Sequence, residues 1–142
     1  ELLLLVSTRL TTLNLNENDL GSEGTIAIAK VLSECKALVS LSIARNELRA
    51  EGAKIIAKVI EKMPQLASLN LDNNQLCGLY ADTVVKGKRR TKKGTYTAAG
   101  IVALMEGIKK SNIQSLSLDS NSIGAYYDCD KREMVATPEG PK

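Results

Sequence analysis

Leu66-Ala67-Ser68-Leu69-Asn70-Leu71-Asp72-Asn73-Asn74-Gln75-Leu76 fits the pattern LxxLxLxxNxL, with an aliphatic residue at every L and an asparagine near its end. Looking outward, the same pattern recurs three times. Leu10-Thr-Thr-Leu13-Asn-Leu15-Asn-Glu-Asn18-Asp-Leu20 and Leu38-Val-Ser-Leu41-Ser-Ile43-Ala-Arg-Asn46-Glu-Leu48 precede it, and Ile113-Gln-Ser-Leu116-Ser-Leu118-Asp-Ser-Asn121-Ser-Ile123 follows. Asn18, Asn46 and Asn74 are 28 residues apart, and Asn121 comes 47 residues after Asn74. Self-similarity at such a period signals stacked units that bury their apolar faces against one another. In the LxL core alternate residues point inward, so each unit contributes a short strand, and neighbouring strands pair in parallel. An asparagine amide both donates and accepts. Asn18, Asn46, Asn74 and Asn121 are therefore expected to form a buried structural ladder serving the backbone of adjacent repeats.

Between strands the apolar spacing changes. Four residues after Gly24, Gly52 and Gly100 stand Ile28, Ile56 and Leu104; eight after them stand Leu32, Ile60 and Ile108; and Ala29, Ala57 and Met105 fall at the fifth position. An i, i+4, i+5, i+8 stripe is one helical face turned to a core, with Lys30, Glu34, Lys54, Lys58 and Glu61 on other faces. The predicted fold class is α/β: a curved solenoid with parallel strands on its concave face and helices on its convex face. It forms one domain over residues 1–142, with repeats starting near 10, 38, 66 and 113 and a partial repeat at 1–9, where Leu4 aligns with Leu32.

At this point the sequence resembles the ribonuclease-inhibitor type of leucine-rich repeat, built from 28–29-residue units with an α-helix in each. The resemblance covers Leu10 to Asn121, with fainter remnants at both ends. It implies a horseshoe and a protein–protein interaction role. The family includes ribonuclease inhibitors, sensor arrays of intracellular immune receptors and the activator of the GTPase Ran. The motif specifies the fold and says little about the partner.

Two insertions break the pattern, at about 78–97 and 124–137. In the first, Val84-Val85 and Thr95-Tyr96-Thr97 are expected to pair as a hairpin around a basic run. In the second, Tyr126-Tyr127 and Met134-Val135 flank a charged turn. All four tyrosines (Tyr80, Tyr96, Tyr126 and Tyr127) lie in these insertions. They are expected to pack together or onto the edge of the solenoid, or to form a partner-binding knob. The last repeat reads as truncated at Thr137-Pro138, a helix start with no helix after it. The ends of the stack are thus expected to be uncapped. Such a chain would be a fragment of a longer array, or would self-associate end to end.

Composition narrows the chemistry. The 142 residues include no His, no Trp and no Phe. Histidine-based nucleophile systems and histidine metal ligands are excluded, and the core must be aliphatic. No Gly-rich phosphate motif is present. Of 19 Lys and Arg against 16 Asp and Glu, six lie in Lys86-Gly87-Lys88-Arg89-Arg90-Thr91-Lys92-Lys93, so the remainder is left at −3. The body is mildly acidic and carries one basic loop. Cys35, Cys77 and Cys129 form no metal-type spacing, and an odd count argues against a disulfide framework. A reduced compartment follows, the cytoplasm with the nucleus as alternative. Leu2 to Val6 is an apolar run of five, too short to span a bilayer or to serve as a signal core.

Strand register places the outward residues in columns: Thr12, Ser40, Ser68, Ser115; Asn14, Ser42, Asn70, Ser117; Asn16, Ala44, Asp72, Asp119; and Glu17, Arg45, Asn73, Ser120. Asp72 and Asp119 become neighbours that would raise each other's pKa, or attract a cation or a partner's basic group. Glu17 and Arg45 are expected to pair. The candidate partner-binding residues are Asp72, Asp119, Arg45, Tyr80, Tyr96, Tyr126, Tyr127, Lys88, Arg89 and Arg90. No residue is assigned to catalysis, to a cofactor or to a metal. The expected function is a non-catalytic scaffold that binds another protein and no small-molecule substrate. Two alternatives stand beside it. One is a regulator of a small GTPase, by analogy with the Ran activator, none of whose functional residues can be matched here. The other is a tether to nucleic acid or anionic membrane through residues 86–93, which the scarcity of aromatics disfavours.

Overall fold

The computed structural model describes residues 9–81, 92–123, 125–128 and 133–136. Residues 1–8 of the partial repeat, Val84-Val85, Lys88, Arg89 and Arg90 of the basic run, Cys129 and the terminal Thr137-Pro138 fall outside these. Strand β1 (Thr12–Asn14) leads into helix α1 (Gly21–Glu34); β2 (Ser40–Ser42) into α2 (Arg49–Ile60); and β3 (Ser68–Asn70), after the short strands β4 (Tyr80–Ala81) and β5 (Lys92–Lys93), into α3 (Ala99–Lys109). Then come β6 (Ser115–Ser117), β7 (Ala125–Asp128) and β8 (Glu133–Ala136). Strands β1, β2, β3 and β6 form one parallel sheet in that order. Its register is that of the repeat: Leu13, Leu41, Leu69 and Leu116 lie side by side, as do Thr12, Ser40, Ser68 and Ser115. The longer third interval leaves the register of β6 on β3 unchanged.

The template leucines and the helical stripes meet in a single aliphatic core. Leu38, Leu41, Ile43, Leu48, Ile56, Ile60, Leu66, Leu69, Leu71, Leu76 and Leu104 are all at most 1% exposed. The same template positions in the outer layers, Leu13, Leu15 and Leu20 on one side and Leu116, Leu118 and Ile123 on the other, are half-buried against that core. Position in the stack decides burial, since the residue types are the same. Tyr96 packs on this core as well. Among the described residues no helix is long and apolar enough to cross a membrane.

Beyond each strand the chain keeps bonding to the next repeat through alternate amides. The N–H groups of Leu15 and Glu17 donate to Ser42 and Ala44, those of Ile43 and Arg45 to Asn70 and Asp72, and those of Leu71 and Asn73 to Ser117 and Asp119. This alternation requires left-handed residues on both sides of each template asparagine: Glu17 and Asp19, Arg45 and Glu47, Asn73 and Gln75, Ser120 and Ser122, with φ between +49° and +59°. Each such non-glycine residue costs about 1 kcal/mol or more. The interstrand hydrogen bonds, and the asparagine that bridges the turn, offset that cost.

The helices approach closely where side chains are small. A Cβ on Gly100 would lie 2.8 Å from the Cα of Ala50, and one on Gly107 would lie 2.6 Å from the carbonyl oxygen of Ala57. Backbones of α2 and α3 therefore touch at two points seven residues apart on each helix.

The first insertion forms a hairpin whose return strand is not the expected Thr95-Tyr96-Thr97; the other expected segment, Val84-Val85, lies outside the described residues. Tyr80 pairs with Lys93 and Ala81 with Lys92, antiparallel. Gly94, with φ of +91°, turns the chain out of β5. Thr95 to Thr97 then return to the repeat as the neck of the insertion, where the Thr97 N–H donates to the Cys77 carbonyl at 3.0 Å. Gly78 completes the neck at φ +76°, and a Cβ there would sit 2.6 Å from the Thr95 carbonyl oxygen. Gly78→Ala should therefore destabilise the chain by about 1–3 kcal/mol, read as a lowered thermal midpoint. In the second insertion Tyr126 pairs with Val135 and Tyr127 with Met134, the pairing expected from the sequence.

Candidate functional site

The face of the sheet turned away from the helices is polar along its whole width, and its side chains are tied to one another. The Asn14 Oδ1 accepts from the Asn16 N–H, and the Asn70 Oδ1 from the Asp72 N–H, both at 2.9 Å. These short turns aim the next side chain at the adjacent repeat. The Asn16 Oδ1 accepts from the Ser42 hydroxyl and the Ala44 N–H, both at 2.7 Å. Asp72 repeats the arrangement: its Oδ1 accepts from the Ser117 hydroxyl and the Asp119 N–H, both at 2.7 Å.

Asp72 and Asp119 lie on adjacent repeats, and one Asp72 oxygen is engaged by the Ser117 hydroxyl and the Asp119 N–H. Asp72 is an acceptor built into the sheet surface and takes the role that Asn16 plays two repeats earlier. The signal was readable: an Asx two residues before the ladder asparagine, facing a serine on the next strand. Among the described residues, no group of three Cys, Asp or Glu is placed to hold a metal ion.

At the turns Glu17 and Arg45 do pair, Nη1 to Oε1 at 2.8 Å, with both side chains 65% exposed. Such a pair contributes little in water. Arg45→Ala should cost about 0.5 kcal/mol or less in urea unfolding, so Arg45 can be altered for binding studies without loss of fold.

Beneath this surface runs the asparagine ladder. The Asn46 Oδ1 accepts from the Asn18 N–H at 3.0 Å, the Asn74 Oδ1 from the Asn46 N–H at 2.9 Å, and the Asn121 Oδ1 from the Asn74 N–H at 2.8 Å. Their Nδ2 groups donate back to the previous repeat, at the carbonyls of Leu15, Ile43 and Leu71. Asn46, Asn74 and Asn121 are fully buried, but Asn18 is exposed. Among the described residues its Nδ2 bonds within its own turn, to Leu15 and Asn16. Asn18 is in the outermost described layer, which explains the departure from a ladder buried throughout.

The remaining candidates divide. Tyr96 is half-buried on the core and bonded to Cys77, so part of its surface is committed to the fold. Burial pushes the Cys77 thiol above its ordinary value, against a smaller downward pull from Tyr96. Burial, with the Glu34 charge adding, does the same to Cys35. Both cysteines are free thiols. Tyr80, Tyr126 and Tyr127 are placed by their backbones on β4 and β7, while Lys88, Arg89 and Arg90 lie outside the described residues.

A mixed α/β chain with a four-stranded parallel sheet, one strand per repeat and an asparagine behind each, is consistent with a leucine-rich-repeat fold. The family model described as Leucine Rich repeat matches residues 6–29, the first strand and most of α1. No curated protein matches the chain. Leucine-rich-repeat domains generally mediate protein–protein interaction, typically as binding scaffolds without catalysis.

Proposed function

We propose that the chain is a non-catalytic scaffold for another protein, of the ribonuclease-inhibitor type and horseshoe-shaped. The type is supported by the 28-residue spacing of Asn18, Asn46 and Asn74 and by a full α-helix after each of the first three strands. The observation that carries the function is the state of the sheet face: Asn16 and Asp72 are held by hydrogen bonds to the next strand. A surface organised this way meets a partner without first losing side-chain freedom, which lowers the cost of binding. Arg45, Asp119 and the tyrosines of the insertions are the partner contacts in this reading. Buried free thiols at Cys35 and Cys77 support a reducing compartment, the cytoplasm or the nucleus.

Affinity capture tests this with three chains: the intact one, Arg45→Glu, and a deletion of residues 79–97, which returns the Asn74–Asn121 interval to 28 residues. A protein retained by the intact chain and lost with either change, at unchanged thermal stability, supports the reading. Retention indifferent to both changes overturns the assigned surface. Faster GTP hydrolysis by a small GTPase in the presence of the intact chain would replace the scaffold reading with the regulator.

A further inference from the structure

The helical side carries a feature that the sheet face does not explain. Helices α2 and α3 pack backbone to backbone at Gly107 and Ala57. In the preceding pair of repeats the position of Gly107 is taken by Val59 and that of Ala57 by Ala29. At this level Val59 therefore stands between α1 and α2, where the next pair of helices has only a glycine hydrogen. A groove of about 260 Å³ remains between them, lined by Ala29, Lys30 and Ser33 on one side and by Ile55, Lys58, Val59 and Lys62 on the other. Ala29 and Ile55 are half-buried on its floor, while the three lysines are exposed on its rim.

Charge distinguishes this groove from an ordinary solvated helix surface. Two lysines outside the groove are matched, Lys54 with Glu51 at 2.7 Å and Lys110 with Glu61 at 3.1 Å. Lys30, Lys58 and Lys62 have no ion-pair partner among the described residues, and Lys36 reaches in beside them, its Nζ donating to the Lys62 carbonyl at 3.1 Å. Glu34 is the one carboxylate on the neighbouring turn of α1, and it pairs with none of them. The cations lie towards the C-terminal ends of α1 and α2, where the helix dipoles favour positive charge. That accounts for their position but not for the apolar floor left open between them. In a body that is acidic outside the basic loop, this is a concentrated cationic rim around apolar carbon.

We propose that the α1–α2 groove is a second docking site, on the side opposite the sheet face, for an acidic amphipathic helix of a partner protein. An apolar side chain of the partner covers Ala29, Ile55 and Val59, and carboxylates on the flanking turns meet Lys30, Lys58 and Lys62. This is the helix-in-groove mode of recognition, with apolar anchors at i, i+3, i+4 and i+7, and like-charged competitors are rejected. The site stands independently of whether the sheet face binds.

The test uses the whole ¹⁵N-labelled chain and a helix-forming peptide with leucines at those anchor positions and glutamates elsewhere. Amide shifts should concentrate in residues 29–33 and 55–62, weaken as salt is raised, and persist in Arg45→Glu. Binding of the Lys30→Glu/Lys58→Glu variant should fall about tenfold or more. These lysines are exposed, so its thermal midpoint should not change. Three results would overturn the proposal: no shifts in these segments, equal binding of a peptide whose leucines are replaced by serine, or retention of affinity by the double charge variant. Tighter, lysine-dependent binding to phosphatidylserine vesicles that the peptide does not compete for would also overturn it, in favour of an anionic membrane.

Discussion

Replacing Asn74 by alanine should cost about 2–5 kcal/mol, while the same change at Asn18 should cost about 0.5 kcal/mol or less. The two asparagines occupy equivalent positions of the repeat and differ only in what stacks on them. At Asn74 the amide oxygen holds the Asn46 N–H and the amide nitrogen holds the Ile43 carbonyl, at 2.9 and 2.7 Å. Truncation leaves both backbone groups buried without a partner, at about 1–3 kcal/mol each. At Asn18 the lost bonds are to exposed carbonyls in its own turn, which water can replace. Urea unfolding of the two variants measures the difference. The loss at Asn74 is a large part of the stability of a domain this size, so its midpoint should drop sharply and that of Asn18→Ala should barely move. Equal costs at the two sites would mean that the ladder does not join the layers.

Gly107→Ala should have the next largest effect, a net loss of about 1–3 kcal/mol. Alanine is the better helix former by up to about 1 kcal/mol, so a free surface helix would gain from this change. Here the added methyl would lie 2.6 Å from the Ala57 carbonyl oxygen and 3.0 Å from its Cα. Both are backbone atoms and cannot rotate away, so α3 must separate from α2, and overpacking of this kind outweighs the propensity gain. Gly24→Ala is the control. The nearest atom to its new methyl is the Leu20 Cβ at 3.1 Å, on a half-buried side chain at the outer layer. Its stability should stay within about 0.5 kcal/mol of the parent. Thermal or urea unfolding of the pair separates a packing effect from a general intolerance of alanine.

The parts of the fold legible in the sequence are those that depend on period. Leu13, Leu41, Leu69 and Leu116 could be assigned to adjacent strands because one template spaces them, and the sheet keeps that register through the insertion. Tyr126 and Tyr127 could be set against Val135 and Met134 because a short charged turn separates two alternating segments. In the first hairpin the return strand is Lys92–Lys93 and not the expected Thr95-Tyr96-Thr97, because the basic run carries no apolar alternation to mark it. Pairing there is fixed instead by the neck, where Gly78 and Thr97 hold the ends of the insertion together.

The candidate site was less legible, because its features depend on neighbours in space. An aspartate in a column of outward residues reads as a free charge until the Ser117 hydroxyl and the Asp119 N–H are seen to fill its oxygen. The exposure of Asn18 follows from its place in the stack, which a repeat template does not encode. The α1–α2 groove depends on one valine standing where the next repeat has glycine, a difference that a consensus pattern averages away.

Native-state amide hydrogen exchange tests the stacking of the repeats most directly. The amides of Asn46 and Asn74, each held by the side-chain oxygen of the next asparagine, should exchange only through global unfolding, with the same opening free energy as the Ile43 and Leu71 amides that join neighbouring repeats. Exchange of Asn46 and Asn74 at the rate of an unstructured chain, while Ile43 and Leu71 stay protected, would contradict the ladder. Rapid exchange at all four would contradict the stacked sheet itself.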